Sequence, residues 1–187
     1  MRKSKAEAAE TREAIVAAAS DHLRRSGIAD SSLANMMAAA GLTQGGFYRH
    51  FRDKEHLVAE GLAAAGAKTL AILRRSMEKG GMRAAVDSYL SRTHRDAAIP
   101  ICPFAALGSE LARSSDEVKG AAGAVLEELL VLFSNGDSAP RARAEAIVAL
   151  CTLVGAVTLS RITANTGLSD EILKQAKHHL HELTKLS

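Results

Sequence analysis

Residues that interrupt helices recur along this chain at intervals that leave only helix-length stretches between them. Gly27, Gly41, Gly80–Gly81, Pro100 to Pro103, Ser114–Ser115, Asn135–Gly136–Asp137 with Pro140, and Asn165–Thr166–Gly167 are the breaks. What fills the gaps is helix-forming: 36 Ala and 22 Leu stand against 17 Val plus Ile in 187 residues. Aromatic and β-branched residues are too scarce for an all-β or strand-rich α/β fold. The expected class is all-α, with length for one domain or two small ones around a real core.

The spacing predicts a first helix over 11–25, with Thr11 as N-cap and Ile15, Ala19 and Leu23 on one face. Gly27 sits just past its end, and Arg24 and Arg25 suit the negative end of the helix dipole. A short second helix opens at Ser32, with Ser31 as the competing cap, and closes at Gly41; a third begins near Thr43. Only Ala40–Gly41–Leu42 separates them, which makes a helix-turn-helix. Asp53 reads as the N-cap of a long fourth helix from 54 to about 78, ended by Lys79–Gly80–Gly81. Further helices are expected at about 82–95, 104–113, 116–134, 139–164 and 168–185. With no repeat and no low-complexity linker, an N-terminal unit (1–55) and a C-terminal unit (56–187) meet on the fourth helix, joined rather than tethered.

The net charge of +3 is matched by Arg2, Lys3 and Lys5 alone. So modest a balance serves solubility, or it marks a basic arm that meets phosphate. No apolar run reaches about 18 residues, so no membrane span is expected. No apolar stretch follows the basic opening, so no secretory signal is expected. Two cysteines, Cys102 and Cys151, are too few for a disulfide scaffold. These features predict a cytoplasmic protein.

The most informative stretch is GLTQGGFYRHFRDKEHL, residues 41–57. Phe47 and Phe51 are four apart and would anchor a short helix, while Tyr48, Arg49, His50 and Lys54 bring donors to its other side. The Thr43 hydroxyl and the free amides of a helix start can meet an anion. Gly45 and Gly46 remove side-chain bulk, so the backbone can approach a surface closely. A slim helix front, flanking donors and an apolar back are what a major groove edged by phosphates requires. The same residues also fit a Gly-weakened loop with core aromatics and solvated bases.

Thr11-Arg12-x-x-Ile15 with Ala18-Ala19, then Gly27, then Ala40-Gly41-Leu42-Thr43-x-Gly45-x-x-Tyr48-x-His50-Phe51-x-x-Lys54-Glu55-x-Leu57 resembles the N-terminal DNA-binding domain of the TetR family of transcriptional regulators. The resemblance covers residues 10–58, and its Tyr-x-His-Phe-x-x-Lys core is specific. It implies that Thr43, Tyr48, His50 and Lys54 hold phosphates and that Gln44, with Gly45 and Gly46 beside it, reaches base edges. Gln can read adenine in a bidentate manner. Arg49 stands at a variable position, open to base or phosphate, and Arg12 and Ser32 would touch the backbone. Gly46, Met36–Met37 and Asn35 depart from the family pattern, which bears on the operator sequence rather than the fold.

The resemblance also implies a homodimer, a double-stranded DNA operator and a small-molecule effector bound by a helical C-terminal domain. From Glu145 to Ile162 apolar or small residues occupy nearly every face, so a partner subunit is expected to cover Val154, Gly155 and Leu159. Leu173, Ala176, Leu180 and Leu183 form a seam suited to a four-helix interface. A buried central helix of a monomer would carry the same pattern. Effector-lining candidates are Met77, Met82, Tyr89, Cys102, Leu107, Leu111 and Phe133, a set that also fits plain core. Cys102 precedes a predicted helix whose dipole would lower its thiol pKa and suit it to sensing an electrophile or oxidant; a buried inert thiol is the alternative.

His178, His179 and His181 lack an i, i+4 pair, so no metal site is assigned, and no cofactor is expected. No Gly-rich phosphate loop, HExxH motif or nucleophile elbow appears, so an enzyme is not expected. The rival readings are a helical ligand- or protein-binding dimer without DNA binding, and a helical enzyme built around the pocket.

Overall fold

Two glycines in the left-handed region shape the N-terminal half. In the computed structural model, which describes residues 5–183, Gly27 (φ 86°) ends helix α1, Lys5–Ser26. Gly41 (φ 70°) follows helix α2, Leu33–Ala39, and lets the chain turn sharply toward Thr43. Ser32 caps α2 by accepting the amide of Asn35 at 3.1 Å. A 3-10 turn, Gln44–Arg49, comes next, then α3, Lys54–Tyr89, whose N-cap Asp53 accepts the His56 amide at 2.8 Å. The rest is α4, Arg92–Arg95; α5, Pro103–Leu111; α6, Asp116–Phe133; α7, Pro140–Ile162; and α8, Gly167–Leu183. Among the described residues there is no strand.

Several boundaries differ from the sequence expectation. α1 begins at Lys5, and Thr11 is not its cap: its hydroxyl donates to the Glu7 carbonyl at 2.7 Å within the helix. The third element is 3-10 rather than α, because two adjacent glycines give a six-residue segment little helical preference. The break at Gly80–Gly81 is a kink inside α3, with Gly80 at φ −165° and Gly81 at φ 66°. The expected helix over 82–95 is divided: its first part continues α3, and α4 restarts where Ser91 accepts the His94 amide at 3.1 Å. Arg2 and Lys3 of the basic arm, and the predicted end of the last helix at 185, lie outside the described residues.

α3 and α7 each contain an 18-residue stretch apolar enough to cross a membrane by length and composition, although polar residues interrupt both. More than half of the α3 stretch is buried inside the fold, and about a third of the α7 stretch.

The described residues form two hydrophobic cores. Ile15, Leu23, Met36, Met37, Phe47 and Phe51 begin the N-terminal one, but residues beyond 55 close it: Leu57 and Leu62 from α3, Leu107 and Leu111 from α5, and Val118 from α6. The C-terminal core gathers Leu70, Leu73, Tyr89, Cys102, Leu129, Leu153, Leu173 and Leu180. α3 therefore runs from one core into the other.

Polar contacts fasten the two halves. The Glu110 carboxylate on α5 accepts the amides of Ile28 (2.7 Å) and Ala29 (2.8 Å), just after α1. A Cβ on Gly27 would lie 2.7 Å from that carboxylate, so glycine serves both the backbone conformation and the contact. Arg24 of α1 is buried, and it donates to the carbonyls of Pro100 (2.6 Å) and Ile101 (3.3 Å) while pairing with Asp21 at 2.5 Å. Arg52 reaches Glu117 of α6 at 2.5 Å.

α3 and α6 pack tightly where Gly66 faces Val125: a Cβ on Gly66 would lie 2.4 Å from one Val125 methyl, 2.6 Å from the other and 3.1 Å from its Cβ. Rotating a β-branched side chain cannot clear all three. Helix propensity favours Gly66→Ala by about 1 kcal/mol, and overpacking costs about 1–3 kcal/mol, so urea unfolding should show a net loss of stability. The double variant Gly66→Ala/Val125→Ala should lose less than the sum of the singles. A Gly66→Ala protein as stable as the parent would contradict this packing.

Candidate nucleic-acid interface and effector cleft

The 3-10 turn divides its side chains by direction. Phe47 and Phe51 are buried, with stacked rings 5.5 Å apart, and they hold the turn on α1 and α2. Tyr48, 72% exposed, leans edge-on against Phe47 at 5.1 Å and directs its phenol away from the core. Thr43, Gln44, Gly45 and Arg49 are exposed beside it, and Gly46 and His50 are half-buried. The Thr43 hydroxyl makes no capping bond within the chain. A Cβ at either Gly45 or Gly46 would meet nothing within 4 Å, so packing inside this chain does not require glycine at these positions. The turn thus offers hydroxyl, amide, phenol and guanidinium groups around a bare stretch of backbone.

The other predicted contact residues have partners. Ser32 is the α2 cap. The Lys54 ammonium donates to the Ile28 carbonyl at 3.4 Å. Arg12 pairs with Glu60 and lies 4.8 Å over the Phe51 ring, while Glu60 also takes His56 Nε2 at 2.8 Å. Arg12 in this conformation holds Phe51 rather than pointing outward. Sequence reasoning missed Arg52, which lies beside the turn and ties it to α6. Its hydrogen bond adds to the His56 amide in keeping the Asp53 carboxyl below its usual range.

The seven effector candidates do not form one site. Leu107 and Leu111 belong to the N-terminal core, because α5 turns that face toward α1. Tyr89, Cys102 and Phe133 are buried in the C-terminal core, with Met77 and Met82 packed partly exposed against it. Tyr89 also lines a cleft of about 350 Å³ formed by Thr69, Ile72 and Leu73 of α3, by Ser91 and His94, and by Ile101. Burial raises the Cys102 thiol pKa; the Tyr89 hydroxyl and the amides of Ala105 and Phe104 at the start of α5 lower it but are outweighed. Such a thiol is protonated and inert.

His94 was not a sequence candidate, although Ser91-x-x-His94 is a capping spacing. It is 2% exposed, and its Nδ1 lies 2.7 Å from the Tyr89 carbonyl. A carbonyl only accepts, so Nδ1 carries the proton and Nε2 is a bare acceptor. Burial lowers the imidazole pKa to about 4, opposed by the bond to the Tyr89 carbonyl and aided by Arg161, which donates to the His94 carbonyl at 2.9 Å.

The α7 face carries Ile147, Cys151, Leu159 and Ile162 exposed at helical spacing, with Val148 beside them and Val154 and Gly155 half-buried. Ile162 is 75% exposed, and a Cβ on Gly155 would meet nothing within 4 Å. Leu173 and Leu180 point inward: they belong to this chain's own core, with Ala176 and Leu183 packed at its margin. The α8 seam therefore closes largely within one chain. His181 pairs with Asp87 at 3.2 Å, and no metal-binding group of three or more ligands occurs among the described residues.

The family described as "Bacterial regulatory proteins, tetR family" matches residues 15–60. The HTH-type transcriptional repressor BepR of Brucella suis biovar 1 (strain 1330) is 50% identical over 54 residues, 29% of this chain and 26% of BepR. The HTH-type transcriptional regulator AcrR of Shigella flexneri is 42% identical over 59 residues, 32% of this chain and 27% of AcrR. The matched stretch spans about a quarter of each relative. Over the whole chain, a TetR-family transcriptional regulator from Cytophaga hutchinsonii aligns with a TM-score of 0.79 at 18% identity, covering 96% of this chain and 98% of that one.

The depressed His94 pKa has a measurable consequence. Between pH 6.5 and about 4 the unfolded chain takes up a proton that the folded chain refuses. Stability should therefore fall as pH drops through that window, by about 3 kcal/mol from this group, and level off below it. Urea unfolding at pH 7 and 4.5 should show a smaller loss in His94→Phe than in the parent. Parallel losses in both would contradict the assignment.

Proposed function

The N-terminal domain belongs to the tetR family of bacterial regulators and the chain has that family's fold; on that premise we propose a ligand-responsive repressor that binds a palindromic operator as a homodimer. The observation that carries this reading is the 3-10 turn, whose exposed donors surround two glycines that nothing in the chain needs. Bare backbone flanked by Thr43, Tyr48, Arg49 and His50 suits a groove edge, where phosphate contacts position the protein and Gln44 reads a base. Lys54 and Arg12 serve the phosphate backbone only after leaving their present partners. Two turns must meet half-sites about 34 Å apart, or a multiple of that, so a single chain is not sufficient.

The exposed apolar face of α7 supports the dimer. Ile147, Cys151, Gly155, Leu159 and Ile162 would meet the same face of a second copy, and the open space at Gly155 allows two helices to approach closely. The same face accounts for an α7 that is apolar yet largely uncovered in one chain. The place of action is the cytoplasm, where the operator lies. The reading without DNA binding is favoured by no particular feature, since it leaves the turn's exposed donors without a role.

Duplexes selected from genomic fragments, titrated by fluorescence anisotropy at several salt concentrations, test the reading. Tyr48→Phe and Thr43→Ala should weaken binding on all sequences alike, whereas Gln44→Ala should relax specificity at one base pair by about 1–3 kcal/mol. Lys54→Ala should reduce the salt slope by about one. Failure to select any duplex in dilute buffer would overturn the proposal.

Leu159→Arg places a charge in the α7 face and should give monomers by sedimentation velocity, with operator affinity falling at least tenfold. A dimer that persists in this variant would move the interface elsewhere.

A further inference from the structure

The α3–His94–Ile101 cleft carries a specific chemistry. Its volume, about 350 Å³, is at the small end of the range for ligand sites. Its walls hold no Asp, Glu, Lys or Arg, so neither a cation nor an anion finds a counter-charge there. Ile72, Leu73 and Ile101 supply apolar surface.

Besides the hydroxyl residues Ser88 and Thr93, the cleft carries four polar side chains, those of Thr69, Tyr89, Ser91 and His94. The Thr69 hydroxyl lies 3.0 Å from the carbonyls of both Ala65 and Ile101, and the Ser91 hydroxyl donates to the Ser88 carbonyl and accepts the His94 amide. His94 Nε2 is buried without a hydrogen-bond partner, whereas the Tyr89 hydroxyl lies against the buried Cys102 thiol. Buried polar atoms without partners are uncommon and costly, and this one belongs to a residue lining the cleft. Nε2 is an acceptor, because Nδ1 carries the ring proton and donates it in a hydrogen bond to the Tyr89 carbonyl.

We propose that this cleft takes a small uncharged molecule carrying a hydroxyl donor on an apolar frame, such as a phenol, with His94 Nε2 accepting from that hydroxyl. This rests on the reading of the protein as an effector-controlled regulator, and it adds a route. Ile101 is both a wall of the cleft and an anchor of the DNA-binding domain: its carbonyl is shared by Thr69 of the cleft and Arg24 of α1. A molecule that shifts Ile101 or Thr69 changes the hold on Arg24. Occupancy is thereby communicated to α1 without passing through the α7 face.

Calorimetric titration of the full chain tests the ligand class without any DNA. The probes are 4-ethylphenol, ethylbenzene, which lacks the hydroxyl, and 4-ethylbenzoate, which carries a charge. The phenol should bind saturably, ethylbenzene about tenfold more weakly, and the benzoate not at all. His94→Phe should abolish the preference of phenol over ethylbenzene. Should that variant fail to fold, Ile72→Trp at the half-open rim should close the cleft and eliminate phenol binding. Hydrogen exchange should show altered protection around Arg24 on adding 4-ethylphenol to the parent protein, and no alteration on adding it to Ile72→Trp, whose cleft is closed.

Equal binding of ethylbenzene, preference for the benzoate, no saturable phenol binding, or full phenol binding in Ile72→Trp would overturn the ligand assignment. Unchanged protection at Arg24 in the occupied parent protein would overturn the route. None of these readings needs an operator, so failure to bind DNA removes the regulatory reading while leaving the cleft to be judged separately.

Discussion

One helix is buried in two cores at once. Leu57 and Leu62 of α3 close the N-terminal core, and Leu70 and Leu73 of the same helix enter the C-terminal one. Between them Gly66 lets α6 approach as closely as Val125 allows. A side chain that shifts in one core therefore moves a rod whose other end lies in the second, because close-packed interiors transmit displacement rather than absorb it. The ties from Arg24 to the Pro100–Ile101 carbonyls and from Glu110 to the Ile28 and Ala29 amides add two more connections in parallel. The arrangement is suited to conveying a change at the C-terminal core to the 3-10 turn. Coupling of this kind requires only that a ligand favour one arrangement over another.

Much of the fold was legible because it depends on local chemistry. Ser32 and Asp53 cap helices where their side chains predicted, and Gly27 and Gly41 adopt the left-handed backbone that their positions demanded. Ile15, Ala19 and Leu23 face the core together. The errors also have physical causes. Thr11 resembles a cap but lies within a helix that begins at Lys5, where its hydroxyl bonds backward to a carbonyl. Gly45–Gly46 turn an expected α-helix into a 3-10 segment.

The sites were less legible than the elements, because periodicity reports that a residue is inward-facing but not which neighbour it meets. Leu107 and Leu111 look like lining for a C-terminal pocket and instead complete the N-terminal core. Leu173 and Leu180 look like an intersubunit seam and instead close their own chain. His94 had no motif to announce it; its importance depends on the Tyr89 carbonyl and on a cleft assembled from three separate segments. At Cys102 the sequence revealed the amides that lower a thiol pKa, but not the burial that raises it more.

The account rests on two chains presenting their 3-10 turns together to one duplex. Spin labels at Arg49→Cys in a Cys151→Ser background, with Cys102 buried, allow the distance between the two turns to be read by pulsed dipolar spectroscopy. With a selected duplex present, the account predicts one narrow distance near a single DNA repeat, about 34 Å, or a multiple of it. Absence of any dipolar coupling, or a distance distribution that the duplex leaves unchanged, would contradict it.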